Sequence, residues 1–585
     1  MAIREYVGAR YVPRFMGTFD ATQQYEVLDV VDNGLGTSYI LKKPAPVNTP
    51  VSDSDYWALY GASSGGIINL QNQIGSLPSL STTDQSNLVA AINEVFNNVV
   101  TLSKTVLNPK EFGAECDQDT DDSAAMQSLF DYAAANKITE VNFDGISEIS
   151  FKNVQIKSDV NINVGSCKIY GIASVDERVS TLLKSTTNDI SIAINGGEFI
   201  GKDVTHGYNP TPTNGESLFE FLNARYIKIS NGYYHNLNNR NDPLASDSDY
   251  TNRRAILFTI HDCKYTEITN NVFDHIYGEE GIYVMNKTLD RKDMDCVFSL
   301  NSIKNCTTST FDFIGNYCEM FGNTYNYDYA GSIINCFALN AYIHDEKSLG
   351  VVANLYDNCE KKYFQSDIVK IENIYCYAAR EFADLSAKNI SIKNVIHDHM
   401  YTSGAHTFCY VNKGFGGTSL QHPNVASSEL PMMSVVLENI DISAIDGNMR
   451  MFWHGDALTA HSPMVAIKNC KFNKSTAQTP AHCFIAVNCD LTIDGCVIPM
   501  RLDTNFSAVD HVAIVIQSFD APRRMIISNN IFVNSNPNSY EYALHIGNIP
   551  VVFVGNTAVA NTNDYIQNTT PATLVNGVNQ NFITA

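Results

Sequence analysis

The sequence predicts an all-β chain whose main part is a parallel β-helix, preceded by a small β module and a short coiled-coil helix. Three observations predict it. The first is a recurring phrase in which an aliphatic residue, any residue and Asn are followed by two residues and an apolar one. It surrounds Asn231 (ISNGYY), Asn270 (ITNNVF), Asn373 (IENIYC), Asn394 (IKNVIH), Asn439 (LENIDI), Asn469 (IKNCKF), Asn529 (ISNNIF) and Asn556 (VGNTAV). Gly takes the Asn slot at Gly196 (INGGEF) and Gly495 (IDGCVI). Copies roughly 20 to 60 residues apart mark a solenoid or array rather than one compact core. The second observation is that each copy alternates apolar and polar residues and is rich in Ile, Val and Phe, the pattern of a short half-buried strand. The third is the length of 585 residues, more than one ordinary core needs.

Asn suits the slot for a physical reason: it tolerates the left-handed backbone of a sharp corner, as Gly does. Stacked coil on coil, such Asn side chains can also bond to one another along the ladder.

Composition narrows the function classes. A net charge of −23 argues against a nonspecific nucleic-acid binder or a binder of anionic membranes. The 14 Cys form no CxxC pair and no metal-ligand spacing, and residues such as Cys470, Cys483 and Cys496 sit in apolar strands as small buried hydrophobes. The N-terminus carries no apolar signal region, and no stretch is long enough to span a membrane.

Residues 1–64 are read as a separate β module. They contain YEVLDVVDNGLGTSYILKKPAP and DYWALYG, which resemble small N-terminal modules of phage tail proteins. Trp57, Tyr56 and Tyr60 are either a sugar-stacking platform or, the favoured reading, the module's core. Residues 65–107 hold a linker and a helix in which Leu88, Ile92, Val95, Val99, Leu102 and Val106 recur at heptad spacing, a seam that needs partner chains. The alternative is a helix packed on the neighbouring domain. IGSLPSLSTTDQSNLVAAINEV resembles a segment of tail proteins from phages of Gram-positive bacteria.

At the next junction, EFGAECDQDTDDSAAMQ (Glu111 to Gln127) resembles the FGA…D…TDD…A…Q segment that opens the pectate-lyase-like right-handed parallel β-helix, phage tailspikes included. Asp121 or Asp122 is expected to cap a helix from about Ser123 to Ala135 that closes the first coil. The helix would cover strand edges that otherwise invite aggregation. The β-helix is expected over residues 108–562, with a C-terminal tail at 563–585.

Candidate chemistry follows from coil spacing. Neighbouring coils place side chains about 4.8 Å apart. Retaining glycosidases use carboxyls about 5 to 5.5 Å apart and inverting ones about 6.5 to 9.5 Å. Glu279 and Glu280, in NNVFDHIYGEEGIYV, are the expected acids, and their setting looks like the rung bearing the paired-acid motif of polygalacturonase-like enzymes. The NTD, GHG and RIK elements that accompany that motif are missing. Asp262, in FTIHDC, is the expected second carboxylate, and Tyr283 a substrate contact. Arg253 and Arg254, in a polar insertion, are candidates for substrate binding or for neutralising a uronate. Trp453 and Asp456, in FWHGD, are candidate groove residues, since sugar rings stack on indole. His344–Glu346 and His397–His399 are expected in surface turns. No motif calls for a cofactor; Asp290, Asp293 and Asp295 leave a divalent cation open.

The resemblance implies a tailspike or tail fibre. Such a protein is a homotrimer in the virion, assembled in the host cytoplasm and joined to the phage tail or baseplate through its N-terminal module. It would bind and cleave a bacterial surface polysaccharide, as a hydrolase rather than a lyase. The alternatives are a non-cleaving adhesin and a purely structural fibre. Neither nucleic acid nor membrane insertion is expected.

Overall fold

The computed structural model describes residues 12–35, 37–60, 90, 92–95, 105–171, 181–200, 217–238, 256–277, 280–285, 294–304, 309–326, 332–336, 366–377, 381–385, 387–399, 405–411, 434–444, 448–454, 464–474, 484–487, 490–500, 512–517, 524–534, 542–546, 550–559, 564–568, 574–576 and 582–584. The chain divides into two units, Met1–Lys104 and Thr105–Ala585.

The first unit contains a sheet of four strands, Arg14–Thr18, Asp29–Asp32, Ser38–Leu41 and Trp57–Leu59, in chain order. Trp57 is core, not platform: it packs with Tyr25, Val31 and Leu41. Its ring lies edge-on to Tyr25 at 5.5 Å, and its Nε1 donates to the Thr49 carbonyl at 3.2 Å. Of the heptad seam, Ile92 and Val95 are helical and exposed, whereas Leu88, Val99 and Leu102 lie outside the described residues. Val106 is not the end of that seam. It stands in the strand Val106–Leu107 and pairs with Glu140, because Asn108 and Pro109 then open a short 3-10 helix.

In the second unit every described strand pair is parallel to a strand of the neighbouring coil, as a parallel β-helix requires. A coil contains three strands. One example runs Ile256–His261, a corner at Asp262, Tyr265–Thr269, a corner at Asn270, then Val272–Tyr277. The first strand of each coil joins a 15-stranded sheet; the second and third form two further ladders either side of the Asn corner. Inward positions bear one continuous apolar core, including Phe219, Phe258, Phe298 and Phe311.

The repeat Asn residues are the corners. Asn231, Asn270, Asn373, Asn394, Asn439, Asn469 and Asn529 all have φ between 53° and 60°. Neighbours bond along the ladder, Asn270 Nδ2 to Asn231 Oδ1 at 2.6 Å and Asn394 Nδ2 to Asn373 Oδ1 at 3.0 Å. Asn556 is the exception: Gly555 takes the corner, and Asn556 follows it into the core. At Gly196 a Cβ would lie 2.7 Å from the Gly165 carbonyl oxygen, so the close approach of the two coils admits only Gly. The residue after each corner forms a second ladder inside the coil. It is Asn at 271, 301 and 323, Ile or Val at 374, 395 and 440, Cys at 470 and 496, and Asn again at 530 and 556.

The helix α1 spans Ser123–Asn136 and buries Met126, Leu129, Phe130 and Ala133. It closes the first coil as expected, and Gln127 completes the closure. Its side chain exchanges hydrogen bonds with Gln155 in the terminal strand of the 15-stranded sheet, accepting at 2.8 Å and donating at 3.1 Å. Asp122 does not cap α1 through its side chain. Its backbone is not extended, and its carboxylate accepts from the Glu115 and Cys116 amides at 2.8 and 3.0 Å, fastening the preceding loop instead. At the other end the ladder continues past residue 562. Strands Asp564–Asn568, Leu574–Asn576 and Phe582–Thr584 all pair within it, so the expected tail is part of the β-helix.

Candidate functional site

The 15-stranded sheet differs from the other two ladders. Segments 201–216, 239–255, 286–293, 337–365 and 412–433, all outside the described residues, join the ends of its strands. Insertions at strand ends are where binding and catalytic residues concentrate.

Its register aligns one column of positions along the ladder. In order these are Glu220, Thr259, Tyr283, Asp312, Asn335, Asp384, Tyr410 and Trp453. Buried apolar neighbours flank five of these positions, as in Phe219/Phe221 around Glu220, Phe311/Phe313 around Asp312 and Ala383/Leu385 around Asp384. Three acids, three aromatics, an amide and a hydroxyl therefore occupy eight successive rungs. Asp312 and Asp384 are two rungs apart, with Asn335 between them, which separates their strands by about 9.6 Å. None of the column positions from Thr259 to Trp453 is Lys or Arg.

Two expected site residues belong to this column. Tyr283 is outward by register yet only 3 % exposed, so its ring is covered. Trp453 lies in the strand Asn448–His454, in register with Tyr410 on one side and Ile485 on the other.

Of the expected acids, Glu280 and Asp262 stand in described strands and corners. Glu280 begins the strand Glu280–Met285, in register with Ser309. Asp262 is a corner: it has φ 53°, is 5 % exposed, and donates its amide to the Met285 carbonyl at 2.9 Å. Asp189 and Asn223 fill the equivalent corners with φ 62° and 59°. Asp262 thus sits near Met285, five residues or about 17 Å along the strand from Glu280. Glu279, Arg253, Arg254 and Asp456 lie outside the described residues.

The His–Asp–His triplet is not a surface turn. It ends the strand Ala387–His399, and His397 is fully buried edge-on to Phe382 and Phe408. Among the described residues no group of three His, Cys, Asp or Glu is arranged to hold a metal, and no helix is long and apolar enough to cross a membrane.

Glu220, Asp312, Asn335, Asp384 and Tyr410 join the column without having been singled out by any motif. A signal was present: a polar or aromatic residue between two core residues recurs in FEF, FDF, ADL and CYV, out of phase with the Asn phrase.

No protein-family profile and no curated protein matches the chain. Among solved structures it is similar to the tailspike protein of E. coli bacteriophage HK620 in complex with a pentasaccharide, at a TM-score of 0.39 and 11% identity over 75% of this chain and 79% of that one. It is similar to tailspike protein 3 of bacteriophage CBA120, at a TM-score of 0.37 and 9% identity over 97% and 78%. It is also similar to the Streptococcus pneumoniae surface protein and adhesin PfbA, at a TM-score of 0.38 and 11% identity over 81% and 100%.

Proposed function

We propose that this chain is a phage tailspike-type receptor-binding protein that holds a bacterial surface polysaccharide across its 15-stranded sheet and hydrolyses it. The supporting observation is the register that aligns Glu220 to Trp453 on eight successive rungs. An extended polymer needs a long face with repeated contacts, and a parallel ladder provides one every about 4.8 Å. Aromatic residues at Tyr410 and Trp453 suit the apolar faces of sugar rings.

Asp312 and Asp384 are the proposed catalytic carboxyls. Two rungs put their strands about 9.6 Å apart, so side chains that lean together reach the roughly 6.5–9.5 Å between the carboxyls of inverting glycosidases, which leaves room for a water between base and sugar. One carboxylic acid protonates the leaving glycosidic oxygen while the other carboxylate takes a proton from that water. A lyase is less well supported, because elimination beside a uronate needs a cation and the column supplies none between Thr259 and Trp453.

The attachment role of the first unit, assembly as a homotrimer through the heptad helix, and location in the virion complete the proposal. Exposed Ile92 and Val95 support the trimer, since both stand at seam positions.

The test is incubation of the purified protein with host envelope polysaccharide, measuring reducing ends. Asp312→Asn and Asp384→Asn are expected to cut turnover about 100- to 10,000-fold while glycan binding survives. Undiminished activity in both variants removes the pair from the mechanism. Binding by the unmodified protein with no reducing ends released makes it an adhesin on the same face.

A further inference from the structure

The internal ladder behind the corners carries cysteine on two successive rungs. Cys470 follows the corner at Asn469 and Cys496 the corner at Gly495, with φ 53° and 68° at the two corners. Lys471 and Val497 are partners across two parallel strands, so the cysteines one residue earlier stand level with each other. Neighbouring strands lie about 4.8 Å apart, inside the roughly 4.4–6.8 Å between the Cα atoms of a disulfide. Both residues are buried, at 3 % and 1 % exposure, and face the same coil interior.

The sulfurs also meet. Cys496 Sγ accepts from the Cys470 amide at 3.5 Å and lies 3.7 Å from the Ile467 carbonyl, so it leans onto the coil that bears Cys470. Cys470 Sγ lies 3.2 Å from the Lys468 carbonyl. The hydrogen bond from the Cys470 thiol holds the Cys496 thiol below its ordinary value, against the effect of burial, and the Cys470 amide adds to it. The same contact first, and burial second, push the Cys470 thiol up. One sulfur is thereby prepared as a nucleophile and its neighbour keeps the proton. Cys296 and Cys318 are in register too, but there burial pushes the Cys296 thiol up.

We propose that Cys470 and Cys496 are an oxidation site, joined by a disulfide between neighbouring coils when the protein meets a peroxide. The Cys496 thiolate attacks one peroxide oxygen, the O–O bond breaks, and the departing hydroxide takes up the thiol's proton as water. Cys496 is then a sulfenic acid. The Cys470 sulfur displaces its hydroxyl, the S–S bond forms, and the Cys470 proton leaves with that hydroxyl as a second water. Two thiols lose two electrons and the peroxide gains them. Both thiols are covered, so the small oxidant reaches them as a coil opens locally, which a solenoid does without unfolding as a whole. The bond ties residues 26 apart in sequence, and closing such a loop restricts the unfolded chain. The site does not depend on the glycan reading.

The test is hydrogen peroxide treatment of the folded full chain, alkylation of the remaining thiols, digestion without reductant and mass spectrometry. The peptides bearing Cys470 and Cys496 are expected joined, lighter by two hydrogens than their sum, and separable by dithiothreitol. Joining is expected at least about tenfold faster than between Cys296 and Cys318, since the rate follows the thiolate fraction. Cys470→Ser is expected to abolish the link and to carry Cys496 on to the sulfinic acid, because no second thiol intercepts the sulfenic acid. Complete oxidation of the half-buried Cys116 with Cys470 and Cys496 still reduced overturns the proposal. A link between Cys296 and Cys318 that forms as fast also overturns it.

Discussion

Replacing Asn301 by Ala is the sharpest test of the internal Asn ladder. Asn301 is 1 % exposed. Its Oδ1 accepts from the Asn271 amide at 2.9 Å and from Asn271 Nδ2 at 3.1 Å, and its Nδ2 donates to the Ile268 carbonyl at 2.9 Å. Truncation leaves two N–H donors of Asn271 with no acceptor inside a dry coil. Each buried unsatisfied group costs about 1–3 kcal/mol, so the loss is expected at about 4 kcal/mol. Asn301 in turn donates its own amide and Nδ2 to Asn323 Oδ1. The Asn301→Ala/Asn323→Ala pair should therefore fall short of additivity by about 1–2 kcal/mol, since the double variant has no Asn301 Nδ2 left to orphan. Urea unfolding gives the total, and hydrogen exchange at the Asn271 amide gives the local effect, which matters because a solenoid can open coil by coil. A loss under about 1 kcal/mol with unchanged Asn271 protection would refute the argument.

Two further outcomes are expected. Tyr234 is wholly buried and its hydroxyl has no hydrogen-bond partner, so Tyr234→Phe should stabilise the unit by about 1 kcal/mol in chemical denaturation. Burial also raises the Tyr234 phenol well above its ordinary value. Stability from this group is complete below about pH 10, where the unfolded phenol stays protonated, and is lost as pH rises from there toward the raised folded value. Tyr234→Phe should therefore flatten the alkaline decline, and an unchanged pH profile would count against the assignment. Asp122→Ala removes the acceptor of two loop amides and is expected to cost about 3 kcal/mol and expose the 109–122 segment to proteolysis, whereas Asp121→Ala should cost under about 1 kcal/mol.

The fold was legible because backbone sterics write themselves into sequence: a left-handed corner selects Asn or Gly, and seven repeat Asn residues stand at such corners. Legibility failed where the corner was filled otherwise. Leu300 and Gly322 occupy it with φ 57° and 64°, so the long interval between Asn270 and Asn373 concealed two coils. Val106 and the last strands failed for another reason, since helix and strand share apolar residues and only long-range pairing decides between them. The candidate site was legible in part. Aromatic content pointed to Tyr283 and Trp453, and the adjacent acids pointed to Glu280, which stands at the opposite end of its strand from Met285, the partner of the Asp262 corner. Which acids stack over one another depends on the number of residues inserted between strands, and no local pattern encodes that.

The ladder behind the corners changes its chemistry along the coil axis, from amides at 271–323 to aliphatics at 374–440, thiols at 470–496 and amides again at 530–556. Within a run each rung grips the next through like groups; at the junctions the grip changes kind, as where the Cys496 amide donates to Asn530 Oδ1 at 2.9 Å. A rod made this way has crack stoppers. Under load a break that starts in one run meets a different material at its end, so the molecule would yield in steps, dissipating work at each seam instead of unzipping in a single event.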